Sequence, residues 1–290
     1  MTAVSRGKRK KRYLTTRAFL TLIALLMLLP VALTVIYSFF SQEEIKAYLA
    51  TRGSVSEEKW MRILLSPDMF SIGQYWQVLI RDTAILQLFM LSVMYTVCIL
   101  LGQAVIVPSL AYALSAFRFR GRDALFFLLI MLMLLPFQVT MVPNVLMLRT
   151  FNLLDTVWAV ILPQWFMPFY VFLIRQYMVS VPRELYDAGQ LDGCGTVRCY
   201  LHIVLPVCRP VIGAALALSF ADAWNMVEQP MTFLSHREEM QPLSVVFNRL
   251  IEKPTGIEFA GAALYILPAF FIYLFFLDDI VSGIQLTELK

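Results

Sequence analysis

The chain has 290 residues, 59% of them hydrophobic and only 15% charged, with a formal net charge of +4. Soluble domains carry about 25% charged residues, so an ordinary water-soluble enzyme or binding domain is excluded. The apolar surplus is spread along the whole chain, which points to a polytopic membrane protein.

Arg6, Lys8, Arg9, Lys10, Lys11, Arg12 and Arg17 precede the first apolar run. A basic run of this kind suits nucleic acid or anionic lipid. Beside a hydrophobic span it reads as the signal that holds the N-terminus in the cytoplasm, with membrane lipid and no nucleic acid as its partner. Ala18–Gln42 then holds 25 residues without a charge. That is too long for a signal-peptide core, no A-x-A site follows, and the run is expected to stay as an anchor. Residues 43–82 form a polar extracytoplasmic loop. Within it Ser56–Asp68 is a candidate amphipathic helix, and Gln74, Tyr75 and Trp76 approach the membrane boundary.

Four further runs lack Asp, Glu, Lys and Arg: Thr83–Phe117, Ala124–Leu148, Thr156–Ile174 and Phe259–Leu277. A shorter one, Val211–Ala221, becomes long enough if its helix runs from about Pro206 to Trp224. A spanning helix needs about 20 mostly apolar residues, because every backbone polar group must be satisfied within it. The expected fold is all-α, with six transmembrane helices and a cytoplasmic hairpin. The expected division is a basic tail (1–17), a first helix (18–42), an outer loop (43–82), a five-helix membrane domain (83–281) with an inner loop at 179–206, and a tail (282–290).

Charge placement agrees with that alternation. Arg118, Arg120 and Arg122 lie between spans two and three, and Arg175, Arg183, Arg198 and Arg209 between spans four and five. Both segments are therefore inside, and both termini are expected in the cytoplasm. Pro30, Pro108, Pro136, Pro143, Pro163, Pro168 and Pro268 mark the spans, either as plain kinks or as bends around a pathway. Asp222 is the one carboxylate within a predicted span, too little for a usual proton relay. Gln138, Asn144, Tyr170, Asn225 and Tyr265 either line a path or make helix–helix hydrogen bonds. Gln138, Asn144, Tyr170, Asp222 and Asn225 are the candidate pathway residues.

Cys194, Cys199, His202 and Cys208 match no usual zinc spacing, and no cysteine falls in an outer loop, so neither metal nor disulfide is expected. The sequence has no G-x-x-x-x-G-K-[ST], no H-E-x-x-H and no G-x-S-x-G. It reads as a conduit, not an enzyme, with no cofactor of its own and its energy supplied from elsewhere.

Pro182–Pro206 stands apart as a polar interval between oily spans. Pro182 suits a helix start, and Arg183–Asp192 can follow, with Glu184 and Asp187 near the positive end of the dipole. Leu185, Ala188 and Gly189 fall at i, i+3 and i+4 and are expected to form one face. Gly193 can stop the helix in the left-handed conformation. A second short helix from Thr196 then leads to a break at Leu205-Pro206.

These residues resemble the signature of the membrane subunits of binding-protein-dependent ABC importers: E-A-A, three residues, G, nine residues, I-x-L-P. Asp187-Ala188-Gly189 stands at E-A-A, Gly193 follows three residues on, and Ile203 and Leu205-Pro206 close it after nine more. Asp187 is a conservative departure, and Gly189 in place of alanine is expected to soften the helix. Other wording is similar to the maltose-type carbohydrate branch: Ala111-Tyr112-Ala113 with Arg118-Phe119-Arg120-Gly121, Phe151–Thr156, Ile161-Leu162-Pro163, Leu191-Asp192-Gly193, Trp224-Asn225 and Gln241-Pro242-Leu243. The tail departs, with Asp278-Asp279 where that branch usually has basic residues.

The resemblance implies a pathway formed by this chain and a second, usually different, permease subunit. Two ATPase subunits below would bind the ATP, and an extracytoplasmic solute-binding protein would deliver a sugar or oligosaccharide. It places the ATPase contact on Glu184, Leu185, Asp187, Ala188, Gly189, Asp192, Gly193, Leu205 and Pro206. It makes Met226–Glu258 the docking or scooping loop. A sugar phosphate or amino acid is the alternative cargo, and a stand-alone secondary carrier the alternative machine.

Overall fold

The computed structural model describes residues 3–50, 66–81, 83–191, 193–250 and 257–278. Most of the candidate helix Ser56–Asp68, together with Asp192, Asp279 and the tail 282–290, lies outside the described residues. Among the described residues every regular element is helical. The chain divides into two compact units, Met1–Ile85 with Leu250–Ile266, and Leu86–Arg249 with Leu267–Lys290.

In the first unit, helix α1 (Ala3–Tyr37) already begins in the basic tail and ends before the expected boundary at residue 42. The reason is local. Ser41 and Glu44 form a capping box that starts a new helix, α2 (Gln42–Ala50). The Glu44 carboxylate accepts from the Ser41 amide and hydroxyl, each at 2.9 Å, and its other oxygen accepts from the Asp68 amide at 2.9 Å. These bonds hold the Glu44 carboxyl below its ordinary pKa; the Ser41 amide contributes most, and burial opposes it. Helix α3 (Gly73–Trp76) runs on into a π-helical turn at Gln77–Arg81. Gln74 is fully buried, not a boundary residue as its position suggested. Its amide nitrogen donates to the carbonyls of Tyr37 and Phe40, each at 2.9 Å, and its oxygen accepts from the Ala260 amide at 3.3 Å.

Helix α4 (Thr83–Ala116) continues into the second unit. At 1.5 Å per residue its 34 residues span about 50 Å, longer than the hydrocarbon core. The third expected span is not one helix. It is α5 (Arg122–Leu134) and α6 (Phe137–Thr150), bent by 108°. Leu135 is extended at φ −73°, ψ 127°, because a residue before proline is driven out of the helical region. The fourth is α7 (Val157–Trp165) and α8 (Pro168–Ser180), with Phe166 and Met167 extended between them ahead of Pro168.

The inner segment holds α9 (Arg183–Leu191), α10 (Thr196–Cys199), a π-helical turn at Tyr200–Val204 and α11 (Leu205–Val207). The break expected at Leu205-Pro206 falls two residues later, at Cys208, where α12 (Arg209–Trp224) departs at 75°. The wide π turn before Pro206 absorbs its missing donor, and Pro210 starts the next helix instead. Helices α13 (Glu228–Phe233) and α14 (Leu243–Leu250) form the outer segment, and α15 (Glu258–Phe275) is the last span. Four helical stretches, in α1, in α4, across α7 and α8 together, and in α15, are long and apolar enough to cross a membrane, and the number is up to six if each of the two bent pairs is one span.

Candidate coupling surface and translocation pathway

The hairpin closes as a Schellman motif. Gly193 has φ 79°, and the Cys194 amide reaches back to the Gly189 carbonyl at 2.9 Å. Leu185, Ala188 and Gly189 differ in exposure: the first two are open and Gly189 is covered. Gly189 is buried, and a Cβ there would lie 2.5 Å from the Ile203 methyl and 3.1 Å from the Cys199 sulfur. It allows close approach between the two arms. Tyr186 turns the same way, and burial pushes its hydroxyl up to about 12, with Cys208 and other neighbours adding. The opposite face is free. Glu184, Leu185, Asp187 and Ala188 are exposed there, and Leu191 is 89% exposed. Leu205 is half-buried and Pro206 exposed at the far end of the second arm.

A cleft of about 430 Å³ separates the hairpin from the basic turn after α4. Arg118 and Arg122 line one side, Tyr186 and Asp187 the other. Arg122 also pairs with Asp123 at 2.8 Å.

The five candidate pathway residues do not form one cluster. Tyr170 is buried and donates its hydroxyl to the exposed Asp222 carboxylate at 2.5 Å. Gln138 donates to Glu228 at 3.4 Å. Asn225 ends α12, its side chain donating to the Ala221 carbonyl at 2.9 Å. Asn144 alone faces a large cavity, of about 500 Å³, bounded by the breaks at Leu135-Pro136 and Phe166-Met167.

Sequence reasoning missed the layer behind that cavity. The Gln103 amide donates to the Gln164 carbonyl at 2.6 Å and accepts from the Ser219 hydroxyl, tying α4, the end of α7 and α12 together. A helix end leaves its last carbonyls without intrahelical partners, and Gln103 satisfies one of them. The only signal in the sequence was a glutamine, Gln103, deep within an apolar run.

The outer segment is packed rather than free. Leu234, Leu243 and Gln241 are buried, the Tyr95 hydroxyl donates to the Met240 carbonyl at 3.0 Å, and the Leu243 amide donates to Ser92 at 2.8 Å. The Phe151–Thr156 turn supports it. Asn152 and Asp155 both have positive φ, the Asp155 amide donates to the Phe233 carbonyl at 3.0 Å, and the Asp155 carboxylate accepts from the His236 amide at 3.0 Å.

Helical spans, several of them interrupted, and an exposed hairpin between the fourth and fifth describe a membrane-embedded transport subunit. The sequence profile of the binding-protein-dependent transport system inner membrane component matches residues 104–278, and the chain belongs to that family. It is 31% identical over 185 residues to the arabinooligosaccharides transport system permease protein AraQ of Bacillus subtilis (strain 168), covering 62% of this chain and 65% of that one. It is 30% identical over 203 residues to the AraQ protein of Halalkalibacterium halodurans, covering 69% and 72%. In structure it is similar to a chain of a bacterial ABC transporter involved in the import of the acidic polysaccharide alginate. The TM-score is 0.74 at 22% identity, over 92% of this chain and 95% of that one, a likeness of fold.

Proposed function

We propose that the chain is the membrane-spanning permease subunit of an ATP-driven importer, and that it translocates a sugar or oligosaccharide handed over by an extracytoplasmic binding protein. The chain binds no nucleotide itself. ATP belongs to two ATPase subunits beneath it, and a second, different permease completes the pathway. Residues 83–281 are the working membrane domain, with both termini in the cytoplasm. The packed outer segment after Met226 receives the binding protein.

The observation that carries this reading is the free face of α9. An exposed stripe of Glu184, Leu185, Asp187, Ala188 and Leu191 combines apolar anchors with acids, while Gly189 and Gly193 fix the hairpin behind it. Such a stripe suits a groove on a partner with basic and apolar lining. Asp192, Leu205 and Pro206 belong to the same contact by their place in the signature.

The test is made on the full complex. Leu185→Glu and Asp187→Lys should leave basal ATP hydrolysis in place and abolish its stimulation by loaded binding protein. Stimulation unchanged in both variants would remove the hairpin from the coupling path. The secondary-carrier alternative predicts uptake into liposomes holding this chain alone, without ATPase.

A further inference from the structure

We propose that the cavity of about 500 Å³ between the two broken spans is a subsite for a neutral sugar residue, built by this chain's own side chains. The assignment rests on the importer reading above and adds to it a location and a class of cargo.

The volume falls within the range of small-molecule sites, roughly 300–1,000 Å³. Its polar lining consists of the amides of Asn144, Gln164 and Gln229 and the hydroxyl of Thr140, and no lining residue is Asp, Glu, Lys, Arg or His. Gln164 is the central observation. It is only 8% exposed and lines the cavity, and its side-chain amide makes no hydrogen bond among the described residues. Its backbone is meanwhile pinned by Gln103, so the residue is held in place while its functional end is left open. The amide atoms are open to the cavity, so a ligand there meets a donor and an acceptor that no protein group already holds. Asn144 and Gln229 are likewise without side-chain hydrogen bonds among the described residues. Glu228, the acid next to Gln229, does not line the cavity and is engaged by Gln138.

An amide donates from nitrogen and accepts at oxygen, as a sugar hydroxyl both donates and accepts. Phe137, Phe166, Phe169 and Phe233 supply apolar surface for the C–H faces that sugars present between their hydroxyls. Four helix ends also meet the cavity: the C-termini of α5 and α7 and the N-termini of α6 and α8. Helix ends generally leave backbone donors and acceptors without intrahelical partners. Hydroxyls find partners throughout such a lining, but a carboxylate or phosphate meets no basic side chain there, and the two helix N-termini that favour an anion are offset by two C-termini that repel it. The lining therefore suits a neutral saccharide and disfavours a uronate or a sugar phosphate.

The experiment uses the complete transporter in proteoliposomes, with its partner permease, ATPases and binding protein. Three labelled probes are offered: arabinotriose, maltotriose and trigalacturonate. The expected result is ATP-dependent uptake of a neutral probe. Gln164→Leu and Gln229→Leu should each lower that uptake about tenfold, the loss of one hydrogen-bonding partner. ATP hydrolysis stimulated by the loaded binding protein should persist in both. Gln229 is half-buried in the outer segment and keeps the test open should the Gln164 variant fail to assemble. Undiminished neutral uptake in the variants overturns the subsite and leaves the importer reading standing. Preferred uptake of trigalacturonate overturns the neutral assignment. ATP-dependent uptake of none of the probes overturns the sugar-importer reading and the subsite with it.

Discussion

The indole of Trp165 occupies the space in which a side chain at residue 102 would begin. A Cβ on Gly102 would fall 2.0 Å from the Trp165 ring nitrogen, and that nitrogen donates to the Cys98 carbonyl at 3.0 Å, one turn earlier on the same helix. The glycine lets α4 and the end of α7 touch, as small residues do in membrane bundles. Trp165 adjoins Gln164, so the contact also fixes one wall of the sugar cavity.

Gly102→Ala should therefore destabilise the protein by about 1–3 kcal/mol, the usual penalty for overpacking a closed contact. Thermal unfolding of the purified complex in detergent should show a lower midpoint. Adding Trp165→Leu should recover part of the loss, because the clash goes with the ring. If Gly102→Ala melts with the parent, α4 and α7 do not meet at this point.

At the hairpin, Gly193→Ala meets no neighbouring atom, so only the backbone resists it. An L-residue in the left-handed region costs about 1–2 kcal/mol, and Gly193→Asn should be milder. Gly189→Ala is different in kind, because it drives into the Ile203 methyl. Its effect should be relieved by Ile203→Val, which removes that methyl, whereas Gly193→Ala should be indifferent to Ile203→Val. The readout is ATP hydrolysis stimulated by loaded binding protein across the two double-mutant cycles.

The Glu44 capping box predicts a pH dependence. Its carboxyl titrates below the ordinary value, so the box adds stability above the ordinary carboxylate range and loses it as pH falls through the lowered value. Glu44→Gln should melt earlier than the parent at neutral pH. The gap should narrow on acidification below the usual carboxylate range. A gap that widens in acid would contradict the bonding described for Glu44.

Tyr170 and Asp222 should respond unequally. Tyr170→Phe leaves an exposed carboxylate that water can solvate. Asp222→Leu strands a buried hydroxyl, at a cost of about 1–3 kcal/mol. Asp222→Leu should therefore melt lower than Tyr170→Phe. ATP-driven uptake should survive Asp222→Asn, whereas a proton relay through this carboxylate would not.

The spans were legible because their length and lack of charge follow directly from the bilayer's demands on the backbone. Gly193 was legible for a similar reason: its conformational need is local. Gly189 was not, since its burial depends on Ile203, fourteen residues on, and appears only when the hairpin closes. The breaks at Leu135 and Phe166 were also hidden, because Pro136 and Pro168 fit a gentle kink as well as a full interruption. Gln74 and Gln164 read as ordinary polar residues near spans. Their importance lies in partners more than sixty residues away, Ala260 for Gln74, and Gln103 holding the backbone of Gln164. Of the five residues nominated for the pathway, only Asn144 reached the cavity.

The two interrupted spans carry a liability as well as a cavity. Unpaired amide and carbonyl groups at helix ends are tolerated at membrane depth only where protein or water covers them. On the assembly proposed above, a copy without its companion permease would present them to acyl chains. Assembly would then double as quality control, with unaccompanied copies recognised by membrane proteases and cleared. Pulse-chase labelling should give this chain a short half-life when it is made alone, lengthened by co-synthesis of the companion permease.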